Sequence, residues 1–170
     1  EVISHLNPQR NKIYFDGTFG QGGYSKNILK FKSKVIAIDR DSISKKRAEE
    51  LKSEYPKNFF FKIEKFSNIK KIFKEFKIKK INGLTLDLGL SSPQIDNGSR
   101  GFSYNEEGPL DMRMNNKSEG ITAKEIINKF SESQLSEIFY YYGEEKNSRK
   151  IAKSIVSERK KKEIRTTLEL

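Results

Sequence analysis

The chain of 170 residues contains no cysteine, and its apolar residues make up only 34%. Without cysteine the chain forms no disulfide framework, no thiolate metal site and no cysteine nucleophile, and we expect no metal centre. No apolar run approaches the roughly 20 residues that a membrane-spanning helix requires. The opening residues also lack the charged-then-apolar order of a signal peptide. The length predicts one domain, or one plus part of another, with a lean core.

Basic residues outnumber acidic ones. Lys and Arg total 34 whereas Asp and Glu total 23, so the formal net charge is +11. An excess of this size favours a polyanionic partner such as a nucleic acid. The alternative is a general abundance of lysine that has no binding role, and composition alone leaves both interpretations open.

The first half alternates short apolar runs with amphipathic stretches, as chains of β-α-β units do. The predicted strands cover residues 13–15, 34–38, 58–63 and 82–88, and the predicted helices cover residues 24–31, 42–54 and 69–76. Helical crossovers between these strands predict a mostly parallel sheet with helices on both faces.

The pattern changes after Pro93, where a region rich in Gly, Asn, Ser and Asp leads into helical periodicity. Capping boxes are predicted at Thr122 with Glu125 and at Ser131 with Gln134. We therefore predict a first domain over 1–96, a connecting loop over 97–120 and a helical domain over 121–170. Residues 166–170 resemble the start of a helix and the predicted sheet is incomplete, so we expect a piece of a longer protein.

A glycine-rich stretch, DGTFGQGG at residues 16–23, connects the first predicted strand to the first helix. Glycines let a backbone approach a ligand closely, and Asp39 at the end of the next strand suits a ribose hydroxyl. The dinucleotide pattern G-x-G-x-x-G fails, because counting from Gly20 and Gly22 its third glycine falls on Ser25. The P-loop pattern is also absent. The stretch predicts a site for a cofactor that carries adenosine, whereas the alternative is a tight turn without a ligand.

The fourth predicted strand leads into LDLGLSSPQ at residues 86–94, which places Asp87 and several polar groups at the carboxyl edge of the sheet. Substrates meet cofactors at this edge of open α/β sheets. Methylation of an exocyclic amine needs groups that orient the amine and accept its hydrogen bonds. Asp87 suits that role, and a simple cap at the strand end is the equally weighted alternative.

Six segments then occur in a distinctive order: DGTFGQGGYS at 16–25, AIDRD at 37–41, LDLGLSSPQID at 86–96, RGFSY at 100–104, GPLDMRM at 108–114 and YGEE at 142–145. Together they resemble the bacterial 16S ribosomal RNA cytosine-N4 methyltransferase family, also called MraW or RsmH. The resemblance implies an α/β, class I (Rossmann-like) methyltransferase sheet with an inserted α-helical substrate domain. It also implies S-adenosylmethionine as cofactor, a cytidine in the decoding region of 16S rRNA in the small ribosomal subunit as substrate, and a cytoplasmic location.

The resemblance also implies roles for individual residues. The cofactor contacts would be Gly20, Gly22, Gly23, Tyr24, Asp39, Phe66, Asp87 and Gln94. The residues that orient the amine would be Asp87, Ser91 and Ser92. Phe66 would stack on adenine, although an ordinary core phenylalanine is the alternative. Tyr24 stands where the family usually has histidine, and tyrosine carries no positive charge.

Four basic residues are predicted to face RNA: Arg100, Arg113, Arg149 and Lys150. A structural ion pair is the alternative for the first two, and a solvated helix face is the alternative for the last two. The aromatic run at 139–142 is interpreted as core plus rim in preference to a base-stacking surface. Two other function classes are considered: a non-catalytic RNA-binding remnant of the family, and an NAD-type oxidoreductase that the missing third glycine disfavours.

Overall fold

The computed structural model describes residues 1–117 and 120–170, and they form two compact units, Glu1–Ser91 and Ser92–Leu170. The predicted connecting loop at 97–120 belongs to the second unit, apart from Ser118 and Glu119, which lie outside the described residues. The division of the whole protein into domains at residues 96 and 120 stays a prediction.

The first unit alternates strands and helices along the chain. The elements are α1 (Val2–Leu6), β1 (Ile13–Asp16), α2 (Gly23–Leu29), β2 (Lys34–Asp39), α3 (Lys45–Glu54), β3 (Phe59–Ile63), α4 (Ile69–Glu75) and β4 (Gly83–Thr85). Short 3₁₀ turns precede α3 at Ser42–Ser44 and α4 at Phe66–Asn68. Asp41 caps the first turn by accepting a hydrogen bond from the N–H of Ile43.

The four strands pair in the order β3-β2-β1-β4, and every pairing is parallel. This confirms the predicted α/β class with a parallel sheet. The chain runs outward from β1 to β2 and β3 on one side and places β4 on the other side. The strand order therefore reverses next to β1, and a reversal of this kind opens a crevice at the carboxyl ends of the strands.

Strand β4 is shorter than predicted, because it ends at Thr85 and not at Leu88. It pairs only with β1, and Asp16 opposite Thr85 is the last residue of β1. Beyond Asp16 the chain turns away into the glycine-rich stretch, so the residues after Thr85 have no strand to pair with. The alternation of leucines in this segment resembles a strand pattern but lies in a loop.

Alternate strand residues pack on the two faces of the sheet. One core contains Tyr14, Val35 and Ala37 with residues of α2 and α3, such as Ile28 and Leu51. The opposite core contains Phe15, Ile36 and Ile38 with Ile72 of α4. Because consecutive side chains of a strand point to opposite faces, a strand covered on both sides is apolar throughout.

The second unit is built from helices and a long ordered loop. Its helices are α5 (Ser92–Ile95), α6 (Ala123–Lys129), α7 (Glu132–Tyr141) and α8 (Ser148–Lys161), with a 3₁₀ turn at Gly98–Arg100. Both predicted capping boxes are confirmed, at the start of α6 and at the start of α7. Its core joins the helices to two loop residues: Leu110, Ile127, Leu135, Ala152, Ile155 and Ile164.

The loop at 97–114, which we call the motif loop, is held by its own backbone. An alanine Cβ at Gly108 would lie 1.8 Å from the carbonyl oxygen of Gly98, so these backbones touch where only glycine fits. Pro109 forms an antiparallel bridge with Thr166, so the last residues pair with the motif loop. In the turn that follows, the Thr166 hydroxyl accepts a hydrogen bond of 3.4 Å from the N–H of Glu169, and the N–H of Leu170 donates to the Thr166 carbonyl over 3.3 Å. These bonds are those of a capped first helical turn, in agreement with the predicted helix start at 166–170.

The helices in residues 1–117 and 120–170 include none with the length and apolar character needed to cross a membrane.

Candidate functional site

The stretch at 16–23, which we call the glycine loop, connects the buried end of β1 to α2. Gly22 caps α2 with φ 76°, a backbone conformation that favours glycine. An alanine Cβ there would also lie 2.7 Å from the ring of Phe19. That ring is buried against Phe59 and Phe61. The buried ring of Phe19 therefore supports the glycine loop, and Gly22 packs directly against that ring.

The next glycine, Gly23, has a different environment. An alanine Cβ at Gly23 would meet no atom within 4 Å, although this residue begins α2. Among the described residues, none accepts a hydrogen bond from the N–H of Gly23 or of Tyr24. Free N–H groups in a first helical turn favour electron-rich ligand atoms. Open space and free donors thus occur together at the predicted cofactor contacts Gly23 and Tyr24.

Asp16 lies at the end of β1 and is fully buried. Its Oδ2 accepts a hydrogen bond of 2.6 Å from the hydroxyl of Ser25, and its Oδ1 accepts one of 3.3 Å from the N–H of Thr18. Burial raises the pKa of Asp16, which these hydrogen bonds oppose. Asp16 therefore holds both ends of the glycine loop and is enclosed by protein.

Asp39, the predicted ribose contact, lies at the end of β2 and is half-buried. Its Oδ2 accepts a hydrogen bond of 2.6 Å from the N–H of Gly20, and its Oδ1 accepts one of 2.8 Å from the N–H of Asp41. Burial raises the pKa of Asp39. Each carboxylate oxygen keeps a second lone pair, so Asp39 can hold the glycine loop and accept hydrogen bonds from a ligand.

The glycine loop is joined directly to the loop after β4. The N–H of Gly17 donates to the carbonyl of Thr85 over 3.0 Å, and the N–H of Asp87 donates to the Thr18 hydroxyl over 2.7 Å. The carboxylate of Asp87 is exposed to solvent at this edge. The structure therefore brings Asp87 beside the glycine loop, at the reversal of strand order where a substrate would meet a cofactor.

Two further side chains border this edge. Phe66 is 41% exposed, and an alanine Cβ at Gly17 would lie 3.4 Å from its Cβ. This exposure argues against an ordinary core phenylalanine. The Thr85 hydroxyl is buried and has no hydrogen-bond partner in the part of the chain that the structure describes. Orphaned buried hydroxyls are rare, and a polar ligand atom would satisfy one.

The remaining predicted contacts are divided between the units. Ser91 is half-buried at the end of the first unit, whereas Ser92 is exposed at the start of α5 in the second. Gln94 is buried in the second unit, and its Nε2 lies 4.0 Å from Sδ of Met114. The roles proposed for these three residues stay predictions.

Two of the predicted RNA-facing residues, Arg100 and Arg113, make structural contacts within the motif loop. Arg100 is only 4% exposed, and its Nη2 donates to the carbonyls of Arg113 and Met114 over 3.1 and 3.0 Å. Arg113 forms a bidentate ion pair with Asp111, in which Nε donates to Oδ1 over 2.9 Å and Nη2 donates to Oδ2 over 2.8 Å. The hydrogen bond from Arg113 lowers the pKa of Asp111. This placement favours the structural alternative for both, because Arg100 is buried and Arg113 is half-buried and paired with Asp111.

The other two predicted RNA-facing residues, Arg149 and Lys150, are exposed in the first turn of α8. They are accessible to a polyanion, and their RNA contacts stay a prediction.

Sequence reasoning missed Thr18 and Ser25, which both donate hydrogen bonds to the carboxylate of Asp16. Ser25 follows the glycines by two positions, and Thr18 lies inside the glycine-rich stretch. A small hydroxyl residue next to a glycine turn is the signal that could have identified both, because its short side chain reaches nearby backbone and carboxylate groups.

Comparison with known proteins bears on this arrangement. The sequence profile described as the MraW methylase family matches residues 1–170. The chain belongs to the MraW methylase family. It is 49% identical over its whole length to the ribosomal RNA small subunit methyltransferase H of Wolbachia sp. subsp. Drosophila simulans (strain wRi), of which it covers 58%. Proteins with the same name from Ehrlichia chaffeensis and Orientia tsutsugamushi are 44% and 47% identical over the whole chain, which covers 58% and 54% of their lengths.

The chain thus spans little more than half of the MraW relatives that it matches. Family membership agrees with the parallel sheet and with the position of the glycine loop, and it disfavours the oxidoreductase alternative. In the described ranges 1–117 and 120–170, no group of three or more His, Cys, Asp or Glu side chains could hold a metal ion.

Proposed function

We propose that the protein to which this chain belongs transfers a methyl group from S-adenosylmethionine to N4 of a cytidine in the decoding region of 16S rRNA. The direct link between the glycine loop and the Asp87 loop carries this proposal, since it places a cofactor cradle beside an exposed carboxylate. The names of the relatives, which specify methylation of small-subunit ribosomal RNA, support it. Such a substrate would place the protein in the cytoplasm.

The residues of the glycine loop fit this cofactor. The space above Gly23 accepts a ligand where a Cβ would otherwise project, and the N–H groups of the first turn of α2 supply donors. Asp39 supplies acceptors for ribose hydroxyls, and Phe66 supplies an exposed ring for the adenine. When bound, S-adenosylmethionine supplies an electrophilic methyl group on a positively charged sulfur.

The chain's own groups would position the amine. The lone pair of an exocyclic amine is delocalised into the base, so the amine must be held in line with the methyl group. Asp87 would accept a hydrogen bond from the amine, with Ser91 and Ser92 completing its orientation. The hydrogen bond from the N–H of Asp87 to the Thr18 hydroxyl holds the backbone at Asp87 in place. A direct displacement needs no protein nucleophile, in keeping with a chain that lacks cysteine.

Calorimetric titration of the full-length protein with S-adenosylmethionine tests the cofactor assignment. We expect saturable binding that Asp39→Ala weakens at least about tenfold, because the variant loses both the loop anchor and the ribose acceptors. Asp96→Ala, which removes an exposed carboxylate in the second unit, serves as the control. Absence of binding to the parent, or equal binding by Asp39→Ala and the parent, would overturn the assignment.

The non-catalytic alternative is tested on the same protein. Mass spectrometry of 16S rRNA after incubation with S-adenosylmethionine should detect N4-methylcytosine. RNA binding without this product would favour a remnant that binds but does not methylate. Tyr24→His then tests the departure from the family pattern, because it restores the histidine that the family usually has at this position.

A further inference from the structure

The hairpin of α7 and α8 carries a cluster of exposed tyrosines. Tyr140, Tyr141 and Tyr142 are 55%, 73% and 87% exposed, so the sequence-based assignment of this run to core plus rim holds only for its first member, Phe139. The rings of Tyr140 and Tyr141 lie 5.3 Å apart at an interplanar angle of 82°. Large exposed aromatic groups in a cluster indicate a binding surface more often than single exposed ones do.

The turn after the tyrosines is ordered by its backbone. The N–H of Glu145 donates to the carbonyl of Phe139 over 3.0 Å, and an alanine Cβ at Gly143 would lie 2.8 Å from that carbonyl oxygen. The hydroxyls of Ser136 and Ser148 lie 3.2 Å apart and join the two helices of the hairpin. The tyrosines therefore lie at the ordered C-terminal end of α7, and binding them requires little ordering of the backbone.

Basic side chains follow the tyrosines in the chain, and their spacing places them on one face at the start of α8. Lys146, Arg149, Lys150 and Lys153 are exposed, and none of them forms an ion pair within the part of the chain that the structure describes. The nearby Glu145 is partly engaged, since its Oε1 accepts a hydrogen bond of 2.6 Å from the N–H of Asn147. The basic groups therefore outnumber the acidic groups of this turn and are available to a polyanion.

We propose that this tyrosine–lysine surface, residues 140–142 together with Lys146, Arg149, Lys150 and Lys153, binds a single-stranded segment of RNA. Tyrosine rings offer stacking platforms for unpaired bases, and basic side chains beside them contact phosphates. A double helix hides its base faces, so exposed rings would gain little from it. The proposal rests on the proposed function, because the RNA in question is the rRNA substrate, at nucleotides away from the methylated base.

Binding of the full-length protein to a single-stranded 16S rRNA fragment, measured by fluorescence anisotropy at several salt concentrations, tests the proposal. The variant Y140A/Y141A should bind at least about fivefold more weakly with an unchanged salt dependence, because stacking on bases is uncharged. Y140F/Y141F keeps the rings and should bind like the parent. R149A/K150A should reduce the slope of log affinity against log salt by about 1 to 2, since each phosphate contact contributes a released counterion.

Matched controls separate this surface from general effects. Tyr104→Ala removes an 85% exposed tyrosine elsewhere in the second unit, and K79A/K80A removes two exposed lysines of the first unit. Both should bind RNA like the parent. Equal RNA binding by Y140A/Y141A and the parent would overturn the proposal, and so would losses of equal size in the controls. A loss seen only with assembled small subunits, and not with naked RNA, would overturn it in favour of a protein partner.

The outcomes also distinguish this inference from the proposed function. If the parent makes N4-methylcytosine while Y140A/Y141A binds RNA normally, only the inference on this surface fails. If the parent makes no N4-methylcytosine but binds RNA through the tyrosines, the proposed function fails and the surface stands. A parent that does not bind RNA at all would overturn both.

Discussion

The glycine loop of the first unit and the motif loop of the second unit use the same residue types for different purposes. Both contain several glycines and an aspartate that accepts hydrogen bonds. In the motif loop, the glycines let one backbone touch another, as at Gly101 and Gly108. In the glycine loop, Gly23 leaves open space, and N–H groups of α2 lack acceptors among the described residues. A glycine motif can therefore serve packing or binding, and the surroundings of its Cβ position tell the two apart.

The carboxylates of the two loops differ in the same way. Asp111 in the motif loop is paired with Arg113, and that pairing lowers its pKa. Asp16 and Asp39 next to the glycine loop accept hydrogen bonds mainly from N–H and hydroxyl groups, and burial raises their pKa. Sites that bind and react commonly keep acids in such less favourable environments, whereas structural regions pair them. The comparison shows structural contacts in the motif loop and supports the binding role proposed for the glycine loop.

The largest expected effect comes from Gly108→Ala. The added Cβ would lie 1.8 Å from the Gly98 carbonyl oxygen, and the three nearest atoms all belong to the Gly98 backbone, which cannot swing aside as a flexible side chain could. We expect the free energy of unfolding to fall by on the order of 3 to 5 kcal/mol. Urea denaturation measures it, with Gly89→Ala, where a Cβ meets nothing within 4 Å, as the control. Equal stability of Gly108→Ala and the parent would show that the glycines of the motif loop are not required for its backbone packing.

A smaller loss is expected for Gly22→Ala, which combines φ 76° with a contact on the Phe19 ring. We expect a cost of about 2 kcal/mol, because a left-handed conformation is unfavourable for alanine and a buried ring must shift. Gly20→Ala has φ 52° but open space around its Cβ, so it should lose only about 1 kcal/mol. Thermal unfolding of both variants checks this order, and a larger loss at Gly20 would contradict the anchoring role of Phe19.

Gly23→Ala separates binding from stability. Alanine is a better helix residue than glycine and meets no atom there, so the free energy of unfolding should stay equal or rise by up to about 1 kcal/mol. Affinity for S-adenosylmethionine should fall at least about tenfold, because the methyl group occupies the space for the cofactor. Lys26→Ala, on the same helix, should leave affinity unchanged. Undiminished affinity in Gly23→Ala would remove the binding role from this glycine.

The smallest effect is a pair of pH dependences with opposite signs. Because its folded-state pKa is raised, the contribution of Asp16 to stability is fully present below its unfolded pKa of about 3.9 and is lost as pH rises through the folded pKa. Asp16→Asn should therefore gain stability relative to the parent as pH rises from about 4 to 7. For Asp111 the folded pKa is lowered, so its contribution is present above about 3.9 and lost as pH falls.

Asp111→Asn should accordingly lose stability relative to the parent as pH rises through the acidic range. Urea unfolding of the parent and both variants at several pH values measures the two trends. Trends of the same sign would show that the two carboxylates do not differ in the way that the comparison requires.

Much of the fold could be predicted from periodicity and capping signals. The strands at β1, β2 and β3 follow apolar runs, and the capping boxes that begin α6 and α7 follow from the spacing of Thr122 with Glu125 and of Ser131 with Gln134. These signals are local, because each depends on residues within one or two turns. The length of β4 was not predictable in this way, since it depends on where its partner β1 ends.

The candidate site could be predicted only in outline. The glycines and Asp39 lie at recognisable spacings, but their surroundings depend on distant residues such as Phe19 and Thr85. Arg100 illustrates the opposite outcome. A charged residue in a polar loop resembles an RNA contact, yet its burial depends on carbonyls more than ten positions away in the chain.

The two hydrogen bonds between the glycine loop and the segment after β4 have a thermodynamic consequence. The Gly17 N–H donates to the Thr85 carbonyl, and the Thr18 hydroxyl accepts from the Asp87 N–H. Because of these two hydrogen bonds, the two segments cannot be ordered independently. Under the proposed function, a cofactor that restrains the glycine loop also restrains the segment after β4 that the substrate would contact, so part of the entropy cost is shared. Affinities measured for one ligand alone would then understate its affinity in the ternary complex, and by linkage the gain is equal for both.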